Sequence, residues 1–161
     1  MKTFALPALL AGALCAAFTP GSQADPTFIA DLDITSFDGT EIDANLFIPE
    51  TPAPAGGYPT VLFTNSWVLD KHQYLLQAAE LADKGYLVMS YSTRGFGTSG
   101  GLVDVAGDNS ITDASVLIDW LEANYPVGKL GMAGISYGAG ISLITAAQDP
   151  RVDAVAALSG W

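Results

Sequence analysis

From Thr60 onward, short apolar runs alternate with stretches of helical periodicity, and this alternation constrains the fold more than any other feature. A continuous apolar run predicts a strand with both faces covered, and a helix between two such strands predicts that they are parallel. The sequence therefore predicts an α/β protein with a mostly parallel sheet and helices on both faces. The predicted elements are the strand 60–64, the helix 72–84, the strand 86–90, the helix 110–124, the strand 129–133, the helix 136–148 and the strand 152–158.

The residues before this alternation have a different pattern. Residues 28–36 alternate in polarity, and residues 42–48 form a second extended run. Asp38 and Gly39 lie between the two runs, and Asp-Gly is a typical hairpin turn. We therefore predict an antiparallel hairpin at the start of the sheet, too small to form a domain by itself. The apolar positions of its first strand are Phe28, Ala30, Leu32 and Ile34.

The overall charge limits the partners of the chain. Six Lys and Arg residues face seventeen Asp and Glu residues, which gives a net charge of −11. Nucleic-acid binding needs clustered cations, so no nucleic-acid partner is expected. The sequence contains neither an H-E-x-x-H motif nor a Cys/His cluster, so we expect no metal ion and no other cofactor.

The first 24 residues are expected to be a secretory signal peptide. Lys2 supplies a positive start, residues 4–18 are apolar, and small residues precede a cleavage site after Ala24. The apolar run is too short for a comfortable membrane span, although an uncleaved anchor is the alternative. Residues 25–161 would then form one exported domain, periplasmic or secreted, without a stable membrane span. Cys15 lies within the signal, so the domain would contain no disulfide.

The segment Gly134-Ile135-Ser136-Tyr137-Gly138 is the strongest indication of chemistry. This G-x-S-x-G pattern lies between a predicted buried strand and an apolar helix, the context of a nucleophilic serine. Ser136 has to occupy a tight, strained turn, and Gly134 and Gly138 have to lack side chains where the backbones approach. The helix that follows directs N–H groups towards an anion formed nearby. The alternative is that Ser136 only caps that helix, since serine is a good N-cap.

These residues, with three other segments, resemble a known family. The other segments are Ser36-Phe37-Asp38-Gly39-Thr40, Ala44-Asn45-Leu46-Phe47-Ile48-Pro49 and Arg94-Gly95-Phe96-Gly97-Thr98-Ser99-Gly100-Gly101. From Phe28 to Trp161 the chain resembles the N-terminal part of an α/β-hydrolase. It is most similar to the peptidase S15 group, which includes X-Pro dipeptidyl-peptidase-like and cocaine-esterase-like hydrolases. The resemblance implies a serine hydrolase that cleaves an ester or peptide bond of a small-molecule substrate through an acyl-enzyme on Ser136.

The resemblance also implies an oxyanion hole. It assigns one donor to the backbone N–H of Tyr137, directly after the serine. It assigns the second to the backbone of Trp67, in the loop after the strand 60–64, where many relatives have His-Gly instead. The alternative for Trp67 is a packing aromatic. The resemblance further implies that Arg94 supports its loop and is not catalytic.

The catalytic base of such an enzyme is not evident in the sequence. In this fold the acid and then the histidine follow the serine. After Ser136 there is no histidine, and Asp149 and Asp153 flank the wrong end of the last predicted strand. His72 precedes the serine, so we do not expect it to be the base. We expect the Asp and His of the triad to lie beyond Trp161, and the chain to be truncated after the strand that follows the nucleophile helix and inactive by itself.

Two other interpretations remain. The first is a non-catalytic α/β-hydrolase-like protein that binds a ligand or partner through the same site. The second is a nucleotide-binding Rossmann fold, which the sequence disfavours. Its glycine-rich loop at residues 95–97 is followed by more loop, and the G-x-G-x-x-G motif is absent.

Overall fold

The computed structural model describes residues 25–160, and these form one six-stranded sheet with three α-helices. A short 3₁₀ turn, Lys71–Tyr74, leads directly into the first helix. The elements are β1 (Thr27–Thr35), β2 (Glu41–Ile48), β3 (Tyr58–Thr64), α1 (Leu75–Ala82), β4 (Leu87–Tyr91), α2 (Asp108–Asn124), β5 (Val127–Ile135), α3 (Tyr137–Gln148) and β6 (Val152–Leu158).

The strand order is β1-β2-β4-β3-β5-β6. Strands β4, β3, β5 and β6 are parallel, whereas β1 pairs antiparallel with β2 and β2 pairs antiparallel with β4. Each parallel strand after β3 is reached through one helix. The predicted α/β architecture, a mostly parallel sheet that begins with an antiparallel hairpin, is therefore confirmed.

Two apolar clusters cover the two faces of the sheet. Consecutive residues of the central strands belong to opposite clusters, as the alternation of side chains along a strand requires. Leu62 packs with α2 on one face, and its neighbour Phe63 packs with α1 on the other. The α2 side chains in the first cluster are Ala114, Leu117, Ile118 and Leu121. Both faces of β3 and β4 are covered, which explains their continuous apolar sequences.

The first strand differs from its predicted alternation. A β-bulge lies between Ile29 and Leu32, and Asp31 within it has a φ of 54°. An extra residue reverses the face on which the preceding side chains lie. Ile29 therefore packs against the core, whereas the expected Phe28 and Ala30 are exposed.

The first crossover helix also begins differently from the prediction. Residues 71–74 form a 3₁₀ turn, and regular α-helix starts only at Leu75. Asp70 caps this turn, because its carboxylate accepts a hydrogen bond from the backbone N–H of His72 at 2.9 Å. The chain turns after α1 at Gly85, which has a φ of 91°.

The predicted signal peptide and Cys15 lie outside the described residues. Within residues 25–160, no helix is both long and apolar enough to cross a membrane.

Candidate active site

The carboxyl ends of four parallel strands meet at one edge of the sheet. Thr64 at the end of β3 is level with Tyr91 of β4 and with Gly134 of β5. Ligands of open α/β sheets bind outside this edge. Ser136 follows β5 there, and Trp67 lies in the loop after β3. The sequence-predicted site residues therefore lie at the same edge: Trp67 and Ser136 in connecting segments, Gly134 at the end of β5, and Tyr137 and Gly138 at the start of α3.

Ser136 occupies a strained turn between β5 and α3. Its φ of 55° and ψ of −113° are conformations that side-chain-bearing residues rarely adopt. It precedes the first residue of α3, yet its side chain makes no capping hydrogen bond. The backbone holds the turn instead, because Ser136 N–H donates to Leu158 O at 2.9 Å and Ser136 O accepts from Gly140 N–H at 3.1 Å. Capping of the helix therefore does not explain this serine.

Two glycines allow the backbone contacts around Ser136. A Cβ placed on Gly138 would lie 2.2 Å from the carbonyl oxygen of Thr64, and one placed on Gly134 would lie 2.5 Å from the carbonyl carbon of Gly138. Both neighbours are backbone atoms and cannot rotate away. The elbow, defined as residues 134–138, is thus packed directly against the end of β3.

The loop after β3 is held by the buried side chain of Asn65. Its Oδ1 accepts from Thr93 N–H at 2.8 Å, and its Nδ2 donates to the carbonyl oxygens of Ser66 at 2.8 Å and Leu69 at 2.7 Å. These bonds maintain a φ of 59° at Val68, which is unusual for a β-branched residue. The loop that carries Trp67 therefore has a fixed and strained conformation.

The Trp67 side chain belongs to an aromatic cluster beside the elbow. Its ring centroid lies 5.1 Å from that of Phe96 and 5.2 Å from that of Tyr137, both in edge-to-face orientation. Tyr137 is fully buried, and its hydroxyl accepts from Ala106 N–H at 3.2 Å. Trp67 itself is 45% exposed. The Trp67 ring thus packs as the alternative interpretation expected, while its backbone lies in the loop beside the elbow.

Arg94 anchors the loop after β4. Its Nε and Nη2 each donate to Asp113 of α2 at 2.7 Å, and its Nη1 donates to Asp38 in the hairpin turn at 3.0 Å. Ser36 Oγ donates to the same Asp113 carboxylate. The hydrogen bonds from Arg94, followed by those from Thr40, lower the pKa of Asp38 to about 2. The buried guanidinium therefore ties three parts of the fold together, as a supporting role requires.

A second buried cation, Lys71, was not identified from the sequence. Its Nζ donates to Asp43 of β2 and to Asp31 in the bulge, and Thr98 Oγ1 donates to the same Asp43. Burial opposes the charge on Lys71, but the two carboxylates outweigh it and raise the pKa of the lysine. The sequence did contain a signal for this ion pair. Asp43 lies in an apolar strand, and a carboxylate buried there needs a cation as its partner.

The other candidates for proton transfer have other partners. His72 is exposed, and its Nδ1 lies 3.1 Å from Asp70 Oδ1. Asp149 binds Arg151, and Asp153 binds Lys129. Both aspartates flank the start of β6, at the edge of the sheet opposite to Ser136. Within residues 25–160, no group of three or more side chains could hold a metal ion.

Several solved structures have the same fold. An esterase from Pyrococcus furiosus is 23% identical with a TM-score of 0.70, over 84% of this chain and 50% of that protein. The α/β-hydrolase GrgF from Penicillium sp. sh18 is 22% identical with a TM-score of 0.71, over 83% and 46%. Acetyl xylan esterase 1 from Thermoanaerobacterium sp. is 21% identical with a TM-score of 0.67, over 82% and 52%. The fold is that of the α/β-hydrolases, and the chain spans about half the length of these proteins.

The family is more specific than the fold. Residues 38–161 match the model of the X-Pro dipeptidyl-peptidase (S15) family, and the chain belongs to this family. The resemblance inferred from the sequence is thereby confirmed. No curated protein is similar enough to match the chain.

Proposed function

We propose that this chain forms part of a serine hydrolase of ester or peptide bonds, with Ser136 as the nucleophile. One observation carries the proposal: Ser136 is held at positive φ in a turn at the carboxyl edge of the sheet, and its hydroxyl is not used to cap α3. Membership of the S15 family and the esterases among the structural neighbours support a hydrolase.

In the proposed reaction, Ser136 Oγ attacks the substrate carbonyl carbon and loses its proton to a base. The tetrahedral oxyanion accepts hydrogen bonds from the backbone N–H groups of Tyr137 and Trp67, each worth about 3–4 kcal/mol in enzymes of this type. Collapse of this intermediate breaks the bond to the alcohol or amine, which takes the proton. Water then hydrolyses the acyl-enzyme and restores the serine. These steps need no metal ion or organic cofactor.

We propose that the base and its acidic partner come from residues that follow Trp161. The order of the triad in this fold places both residues after the serine, whereas His72 precedes it. The two aspartates that follow the serine, Asp149 and Asp153, lie at the opposite edge of the sheet and bind Arg151 and Lys129. The 161-residue chain by itself is therefore expected to show little or no turnover.

A fluorophosphonate probe tests the nucleophile in the full-length protein. We expect covalent labelling that maps to Ser136 and disappears in Ser136→Ala, together with turnover of p-nitrophenyl esters. The matched control is Ser142→Ala, which removes another serine from α3, one whose hydroxyl donates to Gly138 O. Labelling and turnover that survive in Ser136→Ala would refute the proposal. A protein that folds but is never labelled would favour the non-catalytic binding protein.

A second experiment tests the origin of the base. We expect the isolated 161-residue chain to hydrolyse p-nitrophenyl acetate at close to the uncatalysed rate, and His72→Ala to leave turnover of the full-length protein unchanged. Robust turnover by the isolated chain that is lost in His72→Ala would show that His72 is the base.

We also propose that residues 1–24 direct export and are removed after Ala24. The support is the order of charge, apolar run and small residues in the sequence. Edman sequencing of the protein from the periplasm or the culture medium should begin at Asp25. A protein retained inside the cell with its initiator Met1 would contradict this proposal.

A further inference from the structure

Two hydrogen bonds join the loop after β3 to the 3₁₀ turn before α1. Gln73 Oε1 accepts from the backbone N–H of Ser66 at 2.7 Å, and Gln73 Nε2 donates to Ser66 Oγ at 2.9 Å. A single amide thus fixes both the backbone and the side chain of Ser66. Because Gln73 is only partly buried, filling of the core does not explain its geometry.

The same two elements also hold the residue before the nucleophile. The β3–β5 ladder ends at the pair Thr64 and Gly134. Beyond that pair, side chains replace the ladder: Ser66 Oγ donates to Ile135 O at 3.0 Å, and Ile135 N–H donates to Tyr74 Oη at 3.0 Å. The peptide groups on both sides of Ile135 are therefore tied to the loop after β3 and to the 3₁₀ turn.

This connection links one donor of the proposed oxyanion hole to the nucleophile. Trp67 follows Ser66 directly, and Ser136 follows Ile135 directly. The chain of bonds from Gln73 through Ser66 to Ile135 consequently adds to the contacts that hold the Trp67 loop and Ser136 in their relative positions. A displacement of about 1 Å at such a site can cost about 10²-fold in rate.

We propose that Gln73 is a positioning residue, which holds the Trp67 N–H and Ser136 in the relative placement that oxyanion stabilisation requires. This inference rests on the proposed function. Gln73 does not itself touch the substrate, and it acts through Ser66. Its loss should weaken binding of the transition state more than binding of the substrate.

The test uses the full-length protein with Gln73→Met, which keeps the size of the side chain and removes both hydrogen bonds. We expect kcat to fall by about 10- to 100-fold, less than or equal to the loss from deleting one oxyanion donor, with KM changed less than threefold. Inhibition by a trifluoromethyl ketone, whose adduct carries the oxyanion, should weaken in proportion to kcat/KM. Gln73→Glu retains an acceptor for Ser66 N–H but lacks the donor to Ser66 Oγ, so we expect an intermediate loss.

The matched control is Gln77→Met, an exposed glutamine one turn further along, for which we expect unchanged kinetics. Rates are compared at equal folded fraction, determined by circular dichroism, so that loss of folded protein is not counted as loss of rate. If Ser136→Ala abolishes turnover but Gln73→Met and Gln73→Glu keep wild-type kcat and inhibitor affinity, the inference about Gln73 is wrong and the nucleophile stands. If Ser136→Ala retains turnover, the proposed function fails first.

Discussion

The elbow and the loop after β4 lie at the same edge of the sheet but are held by different forces. In the elbow, the contacts at Gly134 and Gly138 are between backbone atoms, closer than any side chain would allow. In the loop after β4, the buried Arg94 is held by two hydrogen bonds to the buried Asp113. The elbow is held by steric fit, and the loop after β4 is held by charge. Adding an atom should therefore destabilise the elbow, and removing the partner of a charge should destabilise the loop after β4.

The largest expected effect comes from adding one methyl group to the elbow. In Gly138→Ala the new Cβ would lie 2.2 Å from Thr64 O, so β3 and α3 cannot keep their positions. We expect no stably folded full-length protein, or a folded minority that a fluorophosphonate does not label. Gly131→Ala in β5 is the control, because its Cβ would lie 3.6 Å from Ala154 O, an ordinary contact. Urea unfolding measures the stability of both variants. If Gly138→Ala kept wild-type stability and labelling, steric fit would not be what holds the elbow.

Removing one charge from the loop after β4 should have the second largest effect. Asp113→Ala leaves the Arg94 guanidinium buried without its main partner, which costs about 3–5 kcal/mol in comparable cases. We expect a loss of free energy of unfolding in this range, measured by urea denaturation. The double variant Arg94→Met/Asp113→Leu removes both charges and should be clearly more stable than Asp113→Ala alone. Equal stability of the single and double variants would show that burial of an unpaired charge is not the cause.

The two regions also differ in how much of them the sequence predicts. The elbow was found because its requirements lie within five consecutive residues: two glycines, a serine, and a strand and helix on either side. The partners of Lys71 were missed, because Asp43 lies 28 positions away and reaches the lysine only after β2 has paired in the sheet. Ser66 and Gln73 are only seven positions apart, yet their bonds depend on the 3₁₀ turn, and helical periodicity alone predicted ordinary helix there.

The hairpin illustrates the same limit on a smaller scale. Its turn at Asp38 and Gly39 was predicted from a dipeptide preference, and the pairing of Asp33 with Asp43 follows from that turn. The alternation of polar and apolar residues could not predict the bulge at Asp31. The Asp31 carboxylate binds Lys71, which lies outside the hairpin. Local chemistry therefore predicts turns and the elbow, whereas tertiary hydrogen bonds decide the details around the site.

Acid should weaken the charged region in a defined pH range. Arg94 and Thr40 lower the pKa of Asp38 in the folded protein to about 2, below its ordinary value of 3.8. A depressed carboxyl pKa stabilises the fold fully above pH 4, and this contribution is lost as the pH falls through about 2. Asp38→Asn should therefore be less stable than wild type near pH 6, with a difference that shrinks between pH 4 and pH 2. Thermal melting against pH measures it, with Glu80→Gln at an exposed position of α1 as the control.

The smallest expected effect comes from an exposed ion pair, which tests whether burial determines how much an ion pair stabilises the fold. Lys129 and Asp153 also form an ion pair, but the Lys129 side chain is 85% exposed. Water and salt screen such a pair, which is typically worth less than about 1 kcal/mol. We expect Lys129→Met to change the free energy of unfolding by less than this and to lose even that difference in 1 M NaCl. If Lys129→Met destabilised the protein as much as Asp113→Ala, an exposed ion pair would stabilise the fold as much as a buried one. The burial of Arg94 would then not explain why the loop after β4 is sensitive to the loss of a charge.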